Sequence, residues 1–215
     1  MRNNQEFDLW ADGYDASVNL SNASGSYPFA GYQEVLDRIY EIVRKACGKQ
    51  ILDIGFGTAV LTAKLYQDGY TITGIDFSKR MIEIAQQKMP GARLIQYDFC
   101  QGLPNCLSST LFDAIICTYA IHHLTDEQKI CFLKTLCRYL TPGGKILVGD
   151  VSFSTRAELE ACKKSSGDAW DDEEFYFVAD EICAAFPFAK YEKISHCAGV
   201  LLLENTAPTG RFRTE

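Results

Sequence analysis

The sequence is short of positive charge. Its 21 Lys and Arg face 28 Asp and Glu, giving a formal net charge of -7 over 215 residues. Binding to a phosphate backbone rests on clustered basic side chains. The nearest thing to a cluster is Arg211-Phe212-Arg213, so no nucleic-acid partner is expected. Long apolar runs are missing too. Nothing approaches the roughly 20 residues of a membrane span, and the opening Met1–Phe7 is polar, unlike a secretory leader. No membrane partner is expected, and the expected location is cytoplasmic. Cysteine is plentiful at nine residues, but the number is odd and no CxxC or Cys/His ligand spacing occurs. Reduced thiols are expected, several packed as small hydrophobes, with no resident metal.

What is present is the composition of an ordinary globular chain, 47% hydrophobic and 23% charged. This length suits one domain with a terminal extension. The stretch that organises it is Lys49–Ala59, KQILDIGFGTA. The apolar run before Asp53 reads as a buried strand, Gly55 and Gly57 as a tight turn, and Thr58 as the start of a helix. Glycine lets a ligand lie against bare backbone, and the helix N-terminus offers N–H groups to an anion. With the Asp53 carboxylate at the same lip, the unit suits an amino-acid head group.

Strand and helix then alternate. A helix over Thr58–Asp68 leads to a strand over Tyr70–Ile75, with Asp76 at its end placed to accept hydrogen bonds from a ribose diol. Phe77 could wall an adenine ring. Ser78 opens the next helix, and Ala92–Gln96 is a short third strand before Asp98 and Phe99. Leu111–Thr118 is a fourth strand, apolar enough for mid-sheet, and it delivers Tyr119, His122 and His123 to the presumed crevice. Thr125 and Gln128 form a capping-box pattern before a helix with Ile130, Leu133, Leu136 and Leu140 as its apolar stripe. Lys145–Val151 is a fifth strand. Ser152–Phe175 reads as irregular, and its acidic run Asp171–Glu174 as solvated. A helix over Val178–Phe186 precedes two closing strands, Tyr191–Cys197 and Gly199–Glu204. Upstream, a helix carries Val35, Leu36, Ile39, Ile42 and Val43 on one face, after a loop whose Tyr27, Phe29 and Tyr32 could wall a substrate pocket.

The stretches LDIGFGTA and GIDFS at Gly74–Ser78 resemble the first two motifs of class I S-adenosylmethionine (SAM)-dependent methyltransferases. Ala59 stands where that pattern has a third glycine. LTPGGKILV also resembles the stretch before that family's fifth strand, and the W-A-x-x-Y-D stretch containing Trp10 and Tyr14, combined with YAIHHLTDE at Tyr119–Glu127, is similar to the small bacterial YrrT-like methyltransferases. The resemblance implies a Rossmann-like α/β fold. Its seven-stranded, mostly parallel sheet has an antiparallel last strand, with helices on both faces and an N-terminal helical cap. Residues 1–48 would be the cap, 49–204 the core and 205–215 a flexible tail. It implies SAM as cofactor, with S-adenosylhomocysteine (SAH) as product, and a small-molecule methyl acceptor. It places Asp98 and the Phe99 backbone at the adenine and Tyr14 near the methyl group.

Methyl transfer from a sulfonium needs few obligatory side chains, because the leaving group is neutral and already activated. His122 and His123 are candidate bases by their titration range, with Tyr14 and Tyr119 as candidates for orienting the acceptor. Two other kinds of protein share parts of this pattern. A nicotinamide-dependent dehydrogenase needs a further glycine where Val60 stands. A SAM-binding protein without catalysis shares the cofactor residues. The chain is expected to be a monomer or a homodimer.

Overall fold

Strand β1 (Gln50–Ile54) lies at the middle of the sheet. It pairs in parallel with β2 (Thr71–Asp76) on one side and β4 (Phe112–Thr118) on the other. The computed structural model describes residues 25–45 and 48–205. Beyond β2 lies β3 (Arg93–Gln96), and beyond β4 lies β5 (Leu140–Phe153). Strands β7 (Lys190–Lys193) and β8 (Ala198–Glu204) close the sheet, β8 running antiparallel to both β5 and β7. The order β3-β2-β1-β4-β5-β8-β7 is the expected seven-stranded, mostly parallel sheet. An additional two-residue strand, β6 (Phe177–Val178), pairs with the end of β5.

The central strands are apolar on both faces because helices cover both. Alternate side chains separate cleanly. Ile51, Ile116 and Leu147 pack on one face against α1 (Tyr32–Lys45), α2 (Val60–Gln67) and α5 (Arg156–Ser166). Leu52, Ile115 and Val148 pack on the other against α4 (Asp126–Leu136) and α6 (Ala179–Ala185). The helix α3 (Lys79–Lys88) joins the first face through Ala85. Strand order reverses at β1, where β2 lies to one side and β4 to the other. A crevice therefore opens at the strands' C-terminal ends, the usual ligand position in such sheets.

Several boundaries differ from the sequence prediction. The helix after the glycine turn begins at Val60, because Ala59 takes a left-handed conformation as its N-cap. Strand β5 begins at Leu140 and runs through Thr141-Pro142-Gly143-Gly144, so Leu140 belongs to the sheet and not to the stripe of α4. That helix buries Phe132, Leu133 and Leu136, with its expected capping box in place. Helix α5 occupies a segment predicted to be irregular. Thr155 caps it by accepting the Glu158 N–H, but it buries only Leu159 and Cys162, too sparse a stripe to show in the sequence.

Candidate functional site

The turn after β1 is built on three alternate residues with positive φ: Gly55 at 66°, Gly57 at 54° and Ala59 at 61°. The two glycines are needed for different reasons. A Cβ on Gly55 would stand 2.6 Å from the Ala120 Cβ, whereas one on Gly57 would meet nothing within 4 Å. Gly55 allows the turn to pack on the segment after β4. Gly57 leaves bare backbone facing a cavity of about 590 Å³.

Every expected site residue within the described residues lines this cavity: Asp53, Gly55, Gly57, Asp76, Phe77, Asp98, Phe99, Tyr119, His122 and His123. Trp10 and Tyr14 lie outside the described residues. At one end, Asp76 accepts the backbone N–H groups of Gly57 and Ser78, each at 2.9 Å. Asp98 accepts the Cys100 N–H at 3.0 Å and caps a short turn that begins at Phe99. Asp53 is almost wholly buried. Its Oδ2 accepts the Thr62 hydroxyl proton, while its Oδ1 has no hydrogen-bond partner among the described residues. Burial raises its pKa to about 7, with the nearby Asp76 charge adding to the rise and the Thr62 hydroxyl opposing it. Asp53 lines the cavity, and a carboxylate with an unpartnered oxygen fits a cationic amine, which would restore its charge and its missing bond.

The other end is aromatic and acidic. Tyr119 leaves β4 with a φ of 49°, a conformation that costs a non-glycine residue about 1–3 kcal/mol. Its ring packs at a tilt against those of Tyr32 and Phe29, at 4.8 and 5.6 Å between centroids. Tyr27, Phe29 and Tyr32 thus wall the cavity, as their sequence neighbourhood suggested. His122 is buried, with Nδ1 at 2.8 Å from Asp150 Oδ1 and Nε2 at 3.5 Å from Glu174 Oε1. Burial disfavours its charged form. The two carboxylates outweigh that effect and hold its pKa above the usual histidine value. Glu174 Oε2 accepts the Tyr176 hydroxyl at 2.6 Å, and that hydroxyl is also bonded to Tyr27.

Asp150, Glu174 and Tyr176 were not singled out in the sequence. Asp150 had a legible signal, because it is an acid after the apolar run of β5, as Asp53 and Asp76 are in β1 and β2. Glu174 had none, and its acidic run reads as surface. In the fold, Asp171, Glu173 and Glu174 line the cavity, which corrects the expectation of a purely solvated run.

A family model described as a methyltransferase domain matches residues 51–144. An uncharacterized methyltransferase of Oceanobacillus iheyensis is 38% identical over 151 residues, covering 70% of this chain and 67% of that protein. Another from Alkaliphilus oremlandii is 31% identical over 199 residues, covering 93% and 87%. Among solved structures, magnesium protoporphyrin IX methyltransferase from Synechocystis, with bound SAH, superposes with a TM-score of 0.65. It is 18% identical, and the match covers 82% of this chain and 84% of that one. Among the described residues, no helix is long and apolar enough to cross a membrane.

Proposed function

Because the chain belongs to the methyltransferase family, we propose that it moves a methyl group from SAM to a small-molecule acceptor held in the same cavity. The observation that carries the reading is that one cavity is lined both by Asp53, whose Oδ1 lacks a partner among the described residues, and by the bare Gly57 backbone. Asp53 takes the amine of the cofactor's amino-acid end, and the N-terminal turn of α2 takes its carboxylate. Asp76, at the end of β2 and lining the cavity, accepts the ribose hydroxyls. Asp98 and Phe77 receive the adenine.

When bound, SAM supplies a methyl group on a sulfonium, open to in-line displacement by an acceptor lone pair. The chain's part is alignment, exclusion of water and handling of the acceptor's proton. Tyr27, Phe29, Tyr32 and Tyr119 form an aromatic wall that limits water at the acceptor end. His122 and His123 face that end, and Asp150 fixes the His122 ring. Imidazoles at this place serve an acceptor that must lose a proton, either as the base or by holding an ion that acidifies it.

Isothermal titration calorimetry with SAM, SAH, NADH and NADPH tests the cofactor. Saturable binding of SAM and SAH alone supports the reading and opens a screen of acceptors. Binding of a nicotinamide dinucleotide, or of neither class by folded protein, overturns it. Binding without turnover across the screen would leave a SAM-binding protein.

A further inference from the structure

We propose that His122, His123 and Glu174 form a site for a zinc-like divalent cation at the acceptor end of the cavity. The inference deepens the function proposed above and rests on it only for the identity of what the cation faces. One ligand atom from each of the three residues lies within 4.8 Å of the others. His122 Nε2 and Glu174 Oε1 are 3.5 Å apart. Two ligands at about 2.1 Å from a tetrahedral ion stand roughly 3.4 Å apart, so this pair already has the spacing that an ion needs.

The bonds behind these atoms aim them. A carboxylate against Nδ1 accepts the ring N–H there, so that in the neutral ring the lone pair lies on Nε2. Asp150 stands in that position at 2.8 Å, and it is itself held by the backbone N–H groups of Val151 and His122 at 2.7 and 3.3 Å. Glu174 gives one oxygen to Tyr176, which leaves Oε1 toward the ring. The result is a ring nitrogen and a carboxylate oxygen 3.5 Å apart, a pair that either a ring proton or a bound cation can join. A cation there satisfies both, and His123, whose ring centroid lies 4.4 Å from that of His122, supplies the third ligand. A carboxylate behind a ligating histidine is the usual outer support of such an ion.

Two imidazoles and one carboxylate suit zinc or a neighbouring transition metal better than magnesium or calcium. Three protein ligands leave a fourth position for substrate or water, and all three residues line the cavity. The acceptor class that fits has an oxygen or sulfur lone pair, as in an alcohol, phenol or thiol. An ion lowers the pKa of such a group on coordination. A protonated amine has no lone pair to offer it.

The test titrates Co²⁺ into the full-length protein, followed by visible absorption, with Zn²⁺ as competitor. One saturable site is expected, displaced by Zn²⁺ and free of a thiolate-to-cobalt charge-transfer band. His123→Ala and Glu174→Gln should each weaken it at least about tenfold, and Asp150→Asn by about 10- to 100-fold. No saturable binding, a dominant thiolate band, or unchanged affinity in both ligand variants would overturn the site. A proton on His122 would then be what joins it to Glu174. SAH calorimetry and thermal melts on the same samples separate the two proposals. SAH binding without Co²⁺ binding sinks the cation alone, and Co²⁺ binding without SAH binding supports the site while sinking the function it was set in.

Discussion

Asp76, at the end of β2, accepts the N–H of Gly57 at 2.9 Å across the turn that follows β1. One carboxylate thus shapes the glycine turn and faces the cavity beside it. Replacing it with alanine should weaken SAH binding by about 1–3 kcal/mol, the scale of a lost charged hydrogen bond. Calorimetry on a variant shown to be folded by circular dichroism measures this. Unchanged affinity would remove Asp76 from the cofactor site.

The two glycines of the turn should separate in experiment. Gly57→Ala adds a methyl group to open space, so its main effect should be a loss of SAH affinity of tenfold or more, with a stability cost of about 1–2 kcal/mol from the left-handed backbone. Gly55→Ala drives its Cβ against Ala120 and should cost more stability than Gly57→Ala, since overpacking adds about 1–3 kcal/mol. Chemical denaturation and SAH titration of both variants give the comparison. A larger stability loss at Gly57 than at Gly55 would contradict the division of roles.

Burial gives Asp53 a pKa of about 7, which makes stability depend on pH in a definite direction. Below about pH 4 the group is protonated in both folded and unfolded chains and has no effect. From there to about pH 7 the unfolded chain ionises while the folded one keeps its proton, so this group's contribution falls as pH rises. Urea denaturation across that range should show the fall, and Asp53→Asn should flatten it. A cationic amine favours the ionised carboxylate, so SAH binding near neutral pH should release a proton. Calorimetry in buffers of different ionisation enthalpy reads that proton. Proton uptake, or no exchange, would place the amine elsewhere.

Ala59 holds a φ of 61° and is almost wholly buried. Glycine there relieves the backbone but removes a packed methyl group, so Ala59→Gly should stay within about 1 kcal/mol of the parent. A β-branched residue cannot adopt this conformation without strain, and Ala59→Val should lose about 2 kcal/mol or more. Thermal and urea unfolding measure both. Tolerance of valine would mean that the turn relaxes. The alanine at the third alternate position thus shares the positive φ of the two glycines before it.

The sequence by itself determined the strand–turn–helix unit at Lys49–Ala59, the acids Asp53 and Asp76, and the alternation that builds a covered parallel sheet. All of these rest on neighbouring residues: apolar runs, glycine spacing, caps such as Ser78 and Thr125. Helix α5 escaped because its apolar stripe amounts to two residues. Tertiary structure alone decided the aromatic and acidic end of the cavity. Asp150 reaches His122 because β4 and β5 lie side by side in the sheet. Glu174 reaches it because the chain after α5 folds back over the same cavity, where the Phe175 N–H bonds the His122 carbonyl at 2.8 Å. Pairings of that kind have no local period. They arise when the crossovers bring distant segments over the same strand ends, and the chemistry of the site depends on them.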